Sequence, residues 1–244
     1  MSTPLSPLIA VAHGSRDPRA AATVEALMAR VRLARPGLTV RAAYLDHASP
    51  TLAEAMASVR AREAVVLPLL LTEAYHSRID LPAALEAAPP HLRIRYGGTL
   101  GPHPLLTHVM ERRLARVGVT AGDPSTAVVL AAAGSSDPAA NAVIAAMAQA
   151  WRARGWWSVT AAYASAASPT PEEAVAALRA AGAPRVVVAP YLLAPGYFAD
   201  KVRRTAVAAG AAAVGEVLGA APEIARVVLE RYLAVRAPES ALAS

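Results

Sequence analysis

The chain has 244 residues, a formal net charge of +6 and no cysteine, which excludes disulfides, thiolate metal sites and a cysteine nucleophile and fits a reducing cytoplasm. The positive charge is almost entirely arginine, with Lys201 the sole lysine. It is scattered, without a basic run or interleaved aromatics, so no nucleic-acid partner is expected, while a polyanionic small substrate stays compatible. Met1–Pro7 bears no positive charge and the apolar run after it is too short for a signal core. The remaining apolar runs break well before the roughly 18 residues of a span, so no membrane partner is expected either.

In chain order, strands are predicted at Leu8–Ala12, Leu38–Leu45, Ala64–Leu71 and Leu92–Tyr96, each a short apolar run suited to a sheet buried on both faces. Helical patterns lie between them at Pro18–Leu33 and Ser49–Val59, with a third starting near Leu81. A last helix at Pro104–Val117 has Leu106, Val109, Arg113 and Val117 along one side, Arg113 being a polar interruption. Thr120–Ser125 reads as a linker. The second half repeats the order: a strand at Ala127–Ala132, a helix from Pro138, a strand at Ser158–Tyr163, a helix after Pro171, and a strand at Arg185–Leu193. An alanine-rich strand near Ala211–Gly215 and a helix at Pro222–Val235 close it. Alternating strands and helices predict an α/β fold of two tandem domains, 1–119 and 120–244, each a parallel sheet flanked by helices.

The repeat is anchored by LIAVAHGSRDP at Leu8–Pro18 and VVLAAAGSSDP at Val128–Pro138, and by paired AAY, SPT and PLLL/PYLL segments. In each anchor a strand ends, glycine allows a tight turn, aspartate caps a helix and proline takes its first position. Residues kept in both copies, such as Gly14/Gly134, Ser15/Ser135, Asp17/Asp137 and Tyr75/Tyr197, read as scaffold. Polar residues present in one copy only need another reason: His13 is matched by Ala133, Asp46 by Ser165 and His76 by Phe198. All three follow predicted strand ends, the edge where open α/β sheets bind ligands. Two histidines and a carboxylate are a donor set for a borderline divalent metal. His47, His91, His103 and His108 read as loop or surface positions, with His103 in GPHP the next to inspect.

The motifs AHGSRDP, AYLDHASP, VVLPLLLTEAYHSRIDLP and GGTLGPHP together resemble the class II chelatases that insert a metal into sirohydrochlorin, the CbiX/SirB group. The resemblance covers nearly the whole chain, because long members of that group are tandem fusions of two such halves. It implies a Rossmann-like, chelatase-type fold in each half, so two tandem Rossmann-like domains, the tetrapyrrole held in the cleft between the halves, catalysis without ATP or an organic cofactor, and one active site. The metal-binding histidines fall on His13 and His76. The acidic residue of the second motif, commonly glutamate, falls on Asp46, one methylene shorter. The metal, as substrate, is Co²⁺ or Fe²⁺, with Ni²⁺ less expected.

On physical grounds, His13 and His76 must be neutral to hold the ion, and His13, His76 or Asp46 accepts the protons that the pyrroles release. Ser15, Arg16 and Arg78 lie nearest the ligand motifs, and Lys201, Arg203 and Arg204 occupy the corresponding region of the second half; these are the candidates for binding the carboxylate-rich substrate. An internal pseudo-dimer leads to the expectation of a monomer or weak homo-oligomer. Two other readings use the same residues: a metal carrier or sensor, and a phosphate-ester enzyme with His13 as nucleophile and Gly14, Ser15 and the helix N-terminus cradling phosphate.

Overall fold

The computed structural model describes residues 5–73 and 81–236. Among them are two four-stranded sheets, parallel throughout. The first contains β1 (Leu8–Ala12), β2 (Val40–Tyr44), β3 (Glu63–Pro68) and β4 (Arg93–Tyr96) in the order β2-β1-β3-β4. The second contains β5 (Thr126–Ala132), β6 (Ser158–Tyr163), β7 (Arg185–Tyr191) and β8 (Ala213–Val214) in the order β6-β5-β7-β8. Both are the doubly covered parallel sheets that the unbroken apolar runs predict.

Two matched pairs of helices open on side-chain caps. Asp17 accepts from the Arg19 N–H at the head of α1 (Pro18–Ala34), and Asp137 does the same for Ala139 at α5 (Pro138–Arg152). Thr51 with Glu54 forms a capping box at α2 (Leu52–Ala57), and Thr170 with Glu173 forms its counterpart at α6 (Pro171–Ala180). The box explains why α2 begins at Leu52 rather than at Ser49: Thr51 is the cap and is itself extended, so the helix starts on the residue after it. The run Leu69–Leu71 likewise lies beyond β3, because β1 ends at Ala12 and the Leu69 N–H takes the last rung, on the Val11 carbonyl. β2 starts at Val40, β7 stops at Tyr191 and β8 is two residues long, each shorter than its apolar run suggests.

The chain divides into two compact units, one running to Gly101 and taking in the chain from Ala220 onward, the other Pro102–Gly219. The sequence halves are therefore not the packing units: each ends in a helix that belongs to the other unit. In the first unit, Ile9, Val11, Ala64 and Val66 pack on one face against Leu52, Ala55 and Met56 of α2 and Leu81 of α3 (Leu81–Leu85). The alternate strand residues Leu8 and Ala10 point to the other face. There α1 buries Val24, Leu27, Met28 and Val31 and packs against α8 (Pro222–Arg236). In the second unit α6 and α7 (Tyr197–Ala208) cover one face with Val175, Leu178, Val202 and Ala206. α4 (Pro104–Ala115) packs against β7 of that unit and buries Leu106, Val109, Met110 and Leu114. Burying each aliphatic side chain of this kind contributes about 1.5–3 kcal/mol, so each sheet depends on a helix supplied by the far end of the other sequence half.

Candidate functional site

The turn after β1 and the loop after β2 are laced together by backbone. Leu45 donates its N–H to the Ala12 carbonyl at 3.1 Å and Asp46 donates to the His13 carbonyl at 3.0 Å. Gly14, at φ +97°, lets the turn come so close that a Cβ there would collide with the Asp46 carbonyl oxygen. The second unit repeats every part: Ala164 donates to Ala132 and Ser165 to Ala133, both at 2.9 Å, and Gly134 at φ +88° faces the Ser165 carbonyl. The two backbones match; the side chains on them differ. Exposed His13 and Asp46 stand in the first unit, Ala133 and Ser165 in the second, where the Ser165 hydroxyl turns back to the Ala133 carbonyl at 3.0 Å.

The Asp46 carboxylate is gripped by its neighbour. Oδ1 accepts the His47 N–H at 2.8 Å, and Oδ2 lies 3.0 Å from His47 Nε2. His47, read from sequence as an ordinary loop position, holds φ +58°, and Ala166 holds the same φ in the repeat. His76 and Arg78 lie outside the described residues. Among the described residues no group of three His, Cys, Asp or Glu side chains converges as a metal-binding set.

The remaining candidates are divided between the two units. The Ser15 hydroxyl accepts the Asp17 N–H at 3.1 Å, and Ser135 does the same for Asp137 at 3.1 Å, so this contact belongs to the shared turn. Arg16 is exposed beside it. On α7, Lys201 donates to the Ala164 carbonyl at 2.7 Å and Arg203 to the Gly215 carbonyl at 3.3 Å, while Arg204 is exposed. The exposed Tyr197 and Phe198 rings meet edge to face at the start of that helix, 5.6 Å apart. His103 is a cap: its Nδ1 accepts the Leu105 N–H at 3.2 Å at the head of α4.

Sequence reasoning missed one buried polar group of the second unit. Glu111, on α4, accepts from Trp151 Nε1 at 2.9 Å and pairs with Arg154 at 2.8 Å. Beside it His103, Thr107, Met147 and Trp151 line a groove of about 420 Å³. Its spacing, three positions before Leu114 and so on the same side of the helix, was the available signal.

A parallel α/β unit built twice in tandem, with histidine and carboxylate at the strand ends of the first copy only, is a chelatase-type architecture. The family model described as CbiX matches residues 7–117 and again 127–235, and the chain belongs to that family. The chain is similar to the sirohydrochlorin cobaltochelatase of Priestia megaterium, 29% identical over 195 residues, covering 76% of this chain and 63% of the relative. It thus spans less than two thirds of that relative's length. It is also similar to the sirohydrochlorin ferrochelatase of Priestia megaterium, 28% identical over 200 residues, with 79% and 75% covered. Its fold is that of SirB from Bacillus subtilis with Fe³⁺, at a TM-score of 0.84 and 22% identity, over 97% of this chain and 98% of that one. No described helix is long and apolar enough to cross a membrane.

Proposed function

We propose that this protein inserts a divalent metal, Co²⁺ or Fe²⁺, into sirohydrochlorin without ATP. One observation carries the reading: two loop pairs share one backbone arrangement, and only the pair in the first unit bears His13 and Asp46. The named activities of the two Priestia megaterium relatives support it.

The ion is a substrate. His13 and His76 hold it through neutral imidazole nitrogens, a donor set that accepts cobalt and iron alike and leaves coordination positions open. Insertion requires each pyrrole N–H to break, the electron pair staying on nitrogen to bind the metal and the proton passing to a base. Asp46, with His13 and His76, is the group assigned to accept it. The carboxylate-rich macrocycle is oriented by Ser15, Arg16 and Arg78, with Lys201, Arg203 and Arg204 assigned the same role.

The test is the visible absorbance of anaerobic sirohydrochlorin with Co²⁺, Fe²⁺ and Ni²⁺ in separate arms, measured above the non-enzymatic rate. Conversion by the wild-type protein that collapses in His13→Ala and in His76→Ala supports the reading, and the fastest arm names the metal. No conversion in any arm overturns it.

A further inference from the structure

We infer that His47 is a positioning residue that clamps the Asp46 carboxylate for the insertion step; the inference rests on the chelatase reading. Its ring contributes Nε2 at 3.0 Å from Oδ2 and its own backbone N–H bonds Oδ1 at 2.8 Å, so each oxygen of Asp46 is held by a different atom of one residue. The carboxylate is thereby fixed in plane and rotation, while its backbone is pinned to His13 by the bond from the Asp46 N–H. Without the ring, a side chain 59% exposed keeps, among the described residues, the backbone contact from the His47 N–H to orient it.

The second unit separates this role from turn-making. His47 and Ala166 share φ +58°, a region that non-glycine residues seldom visit, with histidine, asparagine and aspartate enriched among those that do. Ala166 shows that this loop forms without an imidazole. Where the carboxylate is replaced by Ser165, the imidazole is replaced as well; the pair is present together in the unit with His13 and absent together in the other. A histidine needed only for the bend would have no reason to follow the carboxylate. Holding a reacting group within a fraction of an ångström of its productive place is what such a partner supplies.

The experiment compares steady-state Co²⁺ insertion by the wild-type protein, His47→Ala, His47→Gln, Asp46→Asn and the Asp46→Asn/His47→Ala double variant, with unfolding midpoints recorded for each. The expected result is a kcat for His47→Ala lowered roughly ten- to hundredfold, with KM for metal and tetrapyrrole and the unfolding midpoint unchanged. His47→Gln, which offers a donor at the place of Nε2, recovers part of the rate. In the Asp46→Asn background the second change costs no more, because the two residues act as one unit. Wild-type insertion with an unchanged kcat for His47→Ala, or an equal loss in the Asp46→Asn background, overturns the assignment of His47 and leaves the chelatase reading standing. No insertion by the wild-type protein overturns that reading and the role of His47 with it.

Discussion

Tyr232 donates its hydroxyl to the carbonyl of Ser6 at 2.8 Å, joining residues 226 positions apart within one unit. The ring is fully buried, and α8 is further tied down where Arg231 and Arg95 reach the Leu100 and Val235 carbonyls, both at 3.4 Å. Tyr232→Phe keeps the ring and removes one hydrogen bond. The expected loss is about 0.5–1.5 kcal/mol of stability, read from urea unfolding.

Gly14→Ala and Gly134→Ala form a matched pair. Each places a Cβ against a facing backbone carbonyl at positive φ, and each should cost about 1–3 kcal/mol. Thermal unfolding should fall by similar amounts in both variants. At a temperature where both remain folded, metal insertion should fall further in Gly14→Ala, since only that turn carries His13 against Asp46.

Glu111 is 7% exposed and serves two donors. Glu111→Ala leaves the Trp151 indole N–H without its acceptor and should cost about 1–3 kcal/mol. Glu111→Gln keeps an acceptor oxygen and should lose less. Trp151 reports on its own surroundings, so the fluorescence of the folded Ala variant should also shift.

Glu63, at the head of β3, lies 2.9 Å from the Arg95 Nε and accepts the Ser6 hydroxyl at 3.0 Å. The Arg95 guanidinium, followed by Ser6, outweighs burial and holds the carboxyl below its ordinary value near 4.5. A depressed folded-state pKa stabilises the fold above the unfolded value and is lost as pH falls through the folded one. The stability gap between wild type and Glu63→Gln, up to about 1 kcal/mol for a part-exposed pair, should therefore be full at pH 7 and shrink only below about pH 4.5. Denaturation midpoints at stepped pH measure it.

The strands were legible because a doubly covered parallel sheet writes itself as unbroken apolar runs, and the caps Asp17 and Asp137 because each sits where a helix needs an acceptor. Thr51 and Thr170 read only as parts of the SPT repeat, so the second predicted helix starts too early, at Ser49. α7 escaped notice: its N-cap is Gly196, which offers no side-chain cap, and it buries only Val202 and Ala206. The partners of α4 and α8 were equally hidden, since an apolar stripe states that a helix packs and not against what. Arg113 shows how such information is lost. On the sequence it interrupts a stripe; in the fold it pairs with Glu216 at 2.7 Å and donates to the Leu218 carbonyl at 3.0 Å, more than a hundred positions away. His13 and Asp46 were found by comparing the halves, whereas His47 needed the contact distances to be separated from the turn it occupies.

The exchange of α4 and α8 sets an order of events at the ribosome. The unit formed by Pro102–Gly219 is one continuous stretch and has all its parts once residue 219 has emerged. The unit that bears His13 and Asp46 is missing the helix over α1, β3 and β4 until α8, which follows residue 219, has emerged. Domains fold as units during synthesis, so the second sheet in sequence is the first to be completed. The copy with Ala133 and Ser165 is thus built before the copy with His13 and Asp46 closes.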